Sequence, residues 1–163
     1  TGTSHGKRVQ ALGGAKNHAI VLPDADLDLA ADQAVNAGFG SAGERCMAIS
    51  AAVAVGPIAD DLVAKIAKRA ATIKTGDGTK DSDMGPLVTK AHRDKVASYI
   101  DAGETDGAKV VLDGRQVTPD GGQDGFWLGA GGRRGSGGSG LPLKVSEGRM
   151  GIGAQSQPHN VGA

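Results

Sequence analysis

Cysteine is nearly missing from this 163-residue chain: Cys46 is the only one, so no internal disulfide can form, and the chain fits a reducing compartment, the cytoplasm. Aromatic residues are scarcer than usual, with Phe39, Tyr99, Phe126 and Trp127 making up 2% of the sequence. The core must therefore be built from small aliphatic side chains, each of which stabilises less on burial than a large one. A surplus of charge is missing too. Eighteen Lys and Arg balance 18 Asp and Glu, which removes the basic stripe that a nucleic-acid partner would require. The longest apolar run, about residues 48–56, falls far short of the ~20 residues of a membrane span. No charged-then-apolar leader opens the sequence, which gives no argument for secretion. The four histidines, His5, His18, His92 and His159, show no metal-ligand spacing.

Glycine, by contrast, is abundant, at 28 residues, and its distribution divides the chain. Residues 1–128 alternate apolar runs with turn signals at a length suited to one domain. Residues 129–163 hold 11 of the glycines, no aromatic residue and no apolar periodicity, as in Gly132-Arg-Arg-Gly-Ser-Gly-Gly-Ser-Gly140. That composition predicts a disordered Gly/Arg/Ser-rich tail. A GC-rich coding sequence read out of frame has the same character, so a frameshift near codon 129 is the expected origin.

Within 1–128 the pattern predicts a strand at His18–Leu22, stopped by Pro23, and then a helix over about 27–38 capped by Asp24 or Asp26. A glycine turn at 40–43 leads past Cys46 to a strand at Ala51–Val55. From Pro57 onward, Ile58, Leu62, Ile66, Ala70 and Ile73 form one apolar stripe of a second helix. On that helix, Lys65, Lys68 and Arg69 are expected on a solvated face. Thr89 caps a third helix with Val96, Tyr99 and Ile100 inward and His92 in solvent, and Val110–Leu112 is a short strand. Strands alternating with helices predict an α/β fold with a largely parallel sheet flanked by helices.

The sharpest local feature is Gly40-Ser-Ala-Gly-Glu-Arg-Cys-Met-Ala-Ile-Ser50. A thiol acts as a nucleophile through its thiolate, and the ordinary thiol is mostly protonated at neutral pH. Backbone N–H groups presented by the glycine turn, together with the neighbouring Arg45, would favour the anion. The same donors could hold an oxyanion after addition to a carbonyl. A buried structural cysteine fits these residues as well, because free cysteine is among the most buried residue types. Gly38-Phe-Gly-Ser-Ala-Gly43 has the spacing of a dinucleotide fingerprint, but it follows a helix rather than a strand, so the match is accidental.

Gln10-Ala-Leu-Gly-Gly-Ala-Lys-Asn-His-Ala-Ile-Val-Leu-Pro-Asp-Ala-Asp26, Gly43-Glu-Arg-Cys-Met-Ala48, Asp83-Met-Gly-Pro-Leu87 and Gly107-Ala-Lys-Val110 together resemble the catalytic-domain core of aldehyde dehydrogenases. The resemblance covers about Gly6 to Gly129. Within the family it leans toward the CoA-acylating branch that oxidises methylmalonate or malonate semialdehyde, through Gly14-Ala-Lys-Asn-His18 and Arg45-Cys46-Met47. It implies Cys46 as the nucleophile, Arg45 as the group that binds the substrate carboxylate, and Gly13 and Gly14 at the cofactor. NAD is the implied cofactor, coenzyme A the co-substrate, a small-molecule aldehyde the substrate, and a homo-oligomer (dimer or tetramer) the implied assembly.

One substitution within the motif carries chemistry. Most of the family places a glutamate just before Leu-Gly-Gly to activate water, and here that position is Ala11. An acyl-enzyme without a positioned base resists water and persists until a better nucleophile, such as the thiol of CoA, arrives. An ordinary hydrolytic aldehyde dehydrogenase would need another base, and the sequence offers none. The family's N-terminal nucleotide-binding portion and its Glu-Ile-Phe-Gly-Pro segment are not present in this sequence, so the 163 residues alone are expected to be an inactive fragment.

Overall fold

A computed structural model describes residues 1–10, 15–121, 124–134 and the backbone of 150–152. The first strand, β1 (Asn17–Val21), runs into Pro23 and a short turn. Asp26 then caps α1 (Leu27–Phe39): its carboxylate accepts from the N–H groups of Asp28 at 3.0 Å and Leu29 at 3.1 Å. Those N–H groups have no partner within the helix, so the cap supplies what the helix start lacks. After a corner comes β2 (Ile49–Ala54), parallel to β1, and then α2 (Ala59–Ala70), led in by Pro57. Helix α3 (Lys90–Thr105) begins at Thr89, whose hydroxyl accepts from the His92 N–H at 3.1 Å.

Helices α1 and α2 pack side by side over β1 and β2. The core here is Val35, Leu62 and Ile66, each about 1% exposed, closed by Ala31, Ala34 and the inward residues of β2. The small side chains let the two helices approach closely. Three charges on α2 were expected in solvent, and two of them are not free. Lys65 pairs with Asp28, and Arg69 donates from Nε to Asp32 at 2.8 Å and from Nη2 to Asn36 at 3.2 Å. These pairs join α2 to α1 along the solvent edge of their seam, with Lys65 and Arg69 both partly exposed.

The fold is α/β, and the sheet order is β1-β2-β5-β4-β3. The parallel part is the β1–β2 pair. Beyond β2 the ladders are antiparallel, through β5 (Met150–Ile152), β4 (Gly132–Arg134) and β3 (Lys109–Leu112). Both β4 and β5 lie in the Gly/Arg/Ser-rich segment for which sequence predicts disorder, so these two three-residue strands correct that expectation. The remainder of the segment lies outside the described residues. Strand β4 is held to the domain by Arg133, which is 5% exposed and donates from Nη1 to the Tyr99 carbonyl at 2.7 Å. Burial pulls its guanidinium below the ordinary arginine range, although Asp106 opposes this. Gly103 makes room for the guanidinium, since a Cβ there would overlap it.

Candidate active site

The site is built on the corner between α1 and β2. After Phe39 the chain passes through Ser41, Ala42 and Gly43 with φ of 55°, 53° and 75°. Three successive left-handed residues reverse the chain sharply. For Ser41 and Ala42 the Cβ makes that conformation cost about 1–2 kcal/mol each. Packing enforces the corner, because Ala42 is 3% exposed and joins the core. A corner of this kind, kept against its own preference, belongs where the position of the next residues matters.

Beyond it, Glu44 N–H closes on the Ser41 carbonyl at 3.0 Å, and Ala48 N–H closes on the Arg45 carbonyl at 3.0 Å. Cys46 and Met47 form the tip of this second turn. Cys46 is free and exposed, which removes the buried structural cysteine as a reading, and Met47 beside it is 80% exposed. Arg45 is also exposed, and its guanidinium folds back over Gly40: a Cβ on that glycine would lie 2.8 Å from Nη1. Gly40 thus serves the close approach of a side chain rather than an unusual φ.

Two contacts at this corner have no local signal in the sequence. Asn17, at the start of β1, donates from Nδ2 to the carbonyls of Cys46 and Ala48, both at 2.9 Å. His92, expected in solvent, is instead 20% exposed, with Nε2 3.5 Å from the Glu44 carboxylate, so the first turn of α3 touches the loop two residues before the thiol. The other described histidines stay apart: His18 meets the Lys16 carbonyl and His5 the Thr1 carbonyl. Among the described residues no cluster could hold a metal ion, and no helix is long and apolar enough to cross a membrane.

Gly13, Gly14 and Ala11 lie outside the described residues. The fingerprint-like Gly38–Gly43 straddles the C-terminal end of α1, where exposed carbonyls and the helix dipole repel a pyrophosphate rather than bind it. It is no dinucleotide cradle. An apolar cleft lies under α3 and the β3–β4 edge, lined by Phe39, Leu87, Val96, Tyr99, Leu128 and their neighbours, and its walls include neither Arg45 nor Cys46.

This geometry has known counterparts. Residues 1–130 match the aldehyde dehydrogenase family. The chain is 55% identical over 130 residues to a malonate-semialdehyde dehydrogenase of Pseudomonas aeruginosa, a stretch covering 78% of this chain and 26% of that protein. It is 52% identical to malonate-semialdehyde dehydrogenase 3 of Geobacillus kaustophilus, over 79% of this chain and 27% of the relative. Among solved structures, the methylmalonate-semialdehyde dehydrogenase of Oceanimonas doudoroffii superposes with a TM-score of 0.76 at 48% identity, covering 83% of this chain and 28% of that one. A putative methylmalonate-semialdehyde dehydrogenase of Sinorhizobium meliloti, complexed with NAD, gives 0.72 at 47% identity, covering 81% and 27%. The chain thus spans about a quarter of the length of the relatives it matches. On the extent of these matches, the chain belongs to the aldehyde dehydrogenase family.

Proposed function

We propose that this chain carries the nucleophile-bearing part of a CoA-acylating semialdehyde dehydrogenase, with residues 1–128 as a partial catalytic domain and 129–163 as a compositionally distinct segment that lends β4 and β5 to its sheet. The observation that carries the reading is the exposed Cys46 thiol on a turn fixed behind a strained corner. The similarity to enzymes named for malonate and methylmalonate semialdehyde supports the substrate class.

In the enzyme that carries this segment, the Cys46 thiolate adds to the aldehyde carbon, and the oxygen takes the negative charge. The Cys46 N–H would donate to that oxyanion. NAD, when bound, would accept the hydride, with Gly13 and Gly14 the residues that the family resemblance assigns to it. The acyl group then rests on Cys46 as a thioester. With alanine at position 11, no carboxylate at that point draws a proton from water, and CoA takes the acyl group, with loss of CO2 where the substrate bears the β-carboxylate. Arg45, adjacent to Cys46, binds that carboxylate by a charge-assisted hydrogen bond. To do so it must leave its position over Gly40.

The test is a product ratio. The full-length enzyme, given aldehyde and NAD, should form acyl-CoA with CoA present and release free acid far more slowly without it. Equal acid release in the absence of CoA would replace this reading with the hydrolytic one. Cys46→Ser should abolish oxidation.

A further inference from the structure

The amide of Asn17 is a feature that neither the sequence motif nor the proposed chemistry uses. Its two N–H bonds go to two carbonyls of a single loop, those of Cys46 and Ala48. These are the second and fourth residues of the turn whose own closure is the Ala48 N–H bond to Arg45. The carboxamide therefore ties the nucleophile's peptide and the entry to β2 to the start of β1.

The strands are deformed to permit this. Asn17 pairs with Ile49, but His18 pairs with Ala51, so β2 carries one extra residue, Ser50, opposite that step. An irregularity of this sort locally re-aims the side chains beside it, and parallel strands seldom carry one. It sits where Asn17 must reach back along β2 toward the turn. Both donors of the Asn17 amide are used, a pair of bonds that aspartate, with no donor, and serine, with only one, cannot make.

We infer that Asn17 is a positioning residue for Cys46, clamping the turn so that the thiol and its peptide N–H keep a fixed relation to the incoming carbonyl. The clamp itself is independent of the reaction, and its catalytic weight rests on the Cys46 reading above.

Because Cys46 is the only thiol, the 163-residue chain can be tested directly. Asn17→Ala and Asn17→Asp should raise amide exchange at Ala48 on the order of tenfold, the loss expected for two hydrogen bonds of ordinary strength. Asn17→Asp, which sets a carboxylate against two carbonyls, one of them that of Cys46 itself, should also slow alkylation of Cys46 by iodoacetamide at neutral pH. Asn17→Gln, which keeps both donors, should restore part of each. Ile66→Val serves as a control, lowering the melting temperature without touching the turn. If it changes exchange and alkylation as much as Asn17→Ala does, or if Asn17→Asp leaves both unchanged, the clamp is refuted while Cys46 keeps its role. In the full-length enzyme Asn17→Ala should lower kcat on the order of tenfold with KM little changed, since a positioning bond acts through reaction geometry. Retention of full kcat would overturn the positioning role. Failure of the Cys46 reading itself would be distinct: oxidation would survive Cys46→Ser, whatever Asn17 does to the turn.

Discussion

The α1–α2 layer and the corner that lies between its two helices in the chain are built on opposite terms. In the layer every local preference agrees: Asp26 caps, apolar residues recur at helical spacing, and Leu62 and Ile66 fill the core. In the corner, Ser41 and Ala42 hold a backbone conformation they disfavour, and Cys46 and Met47 are left in solvent. One region stabilises the fold and the other is held in place by it. A corner maintained at a cost implies a scaffold with stability to spare.

That comparison can be broken in several ways. The largest effect should come from the scaffold: Leu62→Ala should destabilise by about 2–5 kcal/mol, since it empties a site with little room to collapse. Thermal unfolding checks this, and the alkylation rate of Cys46 per folded molecule should not change. Next, Ser41→Gly should stabilise by up to about 1 kcal/mol through relief of the left-handed strain, less the added freedom of the unfolded chain, whereas Ala42→Gly should gain nothing because it also removes a buried methyl worth about 0.8 kcal/mol. A fall in melting temperature for Ser41→Gly would show that the corner is unstrained. Asp26→Ala should cost about 1 kcal/mol by removing the α1 cap. Smaller again is the Lys65–Asp28 pair, which lies on the surface, where such pairs contribute about 0.2–1 kcal/mol and weaken in salt. Lys65→Met should lose that increment at low ionic strength and little of it at high. The smallest term is a pH effect. Hydrogen bonds from Arg115 hold the Asp113 carboxyl below its ordinary range, despite some desolvation. A carboxyl depressed in the folded state stabilises at pH above its unfolded value and loses that contribution as pH falls below it. An Asp113→Asn variant should therefore lose a little stability near neutrality and show a shallower decline than the parent below about pH 4.

How far the sequence exposes this arrangement depends on whether the signal is local. The strands β1, β2 and β3 and all three long helices were legible, because apolar period, caps and proline lie within each segment. Asp26 and Thr89 act as the caps their positions suggest. Strands β4 and β5 were not legible: three residues in glycine-rich text show no alternation, and only pairing with distant partners makes them strands. The ion pairs of Lys65 and Arg69 escaped for a related reason, since helical periodicity gives a face but not its neighbour. At the site, the motif around Cys46 singled out the thiol, and glycines 40 and 43 marked the turn. Nothing in Ser-Ala advertises positive φ at 41 and 42. Nothing in Asn17 or His92 announces a reach of 29 or 48 residues along the chain to the same loop. Contacts that assemble a site between elements are tertiary, and a single sequence does not write them down.

The order of the sheet has a consequence for handling the protein. Strand β1 is its outermost member, and Ile20, on that strand, and Leu22, just past its end, are 67% and 53% exposed. An outermost strand among the described ones that carries exposed apolar side chains is a template for further strands, whether from another copy or from an unfolded neighbour. Solubility should accordingly fall with concentration sooner than a balanced surface charge alone would dictate. A single lysine at position 20 should widen the usable concentration range without touching the thiol or its corner.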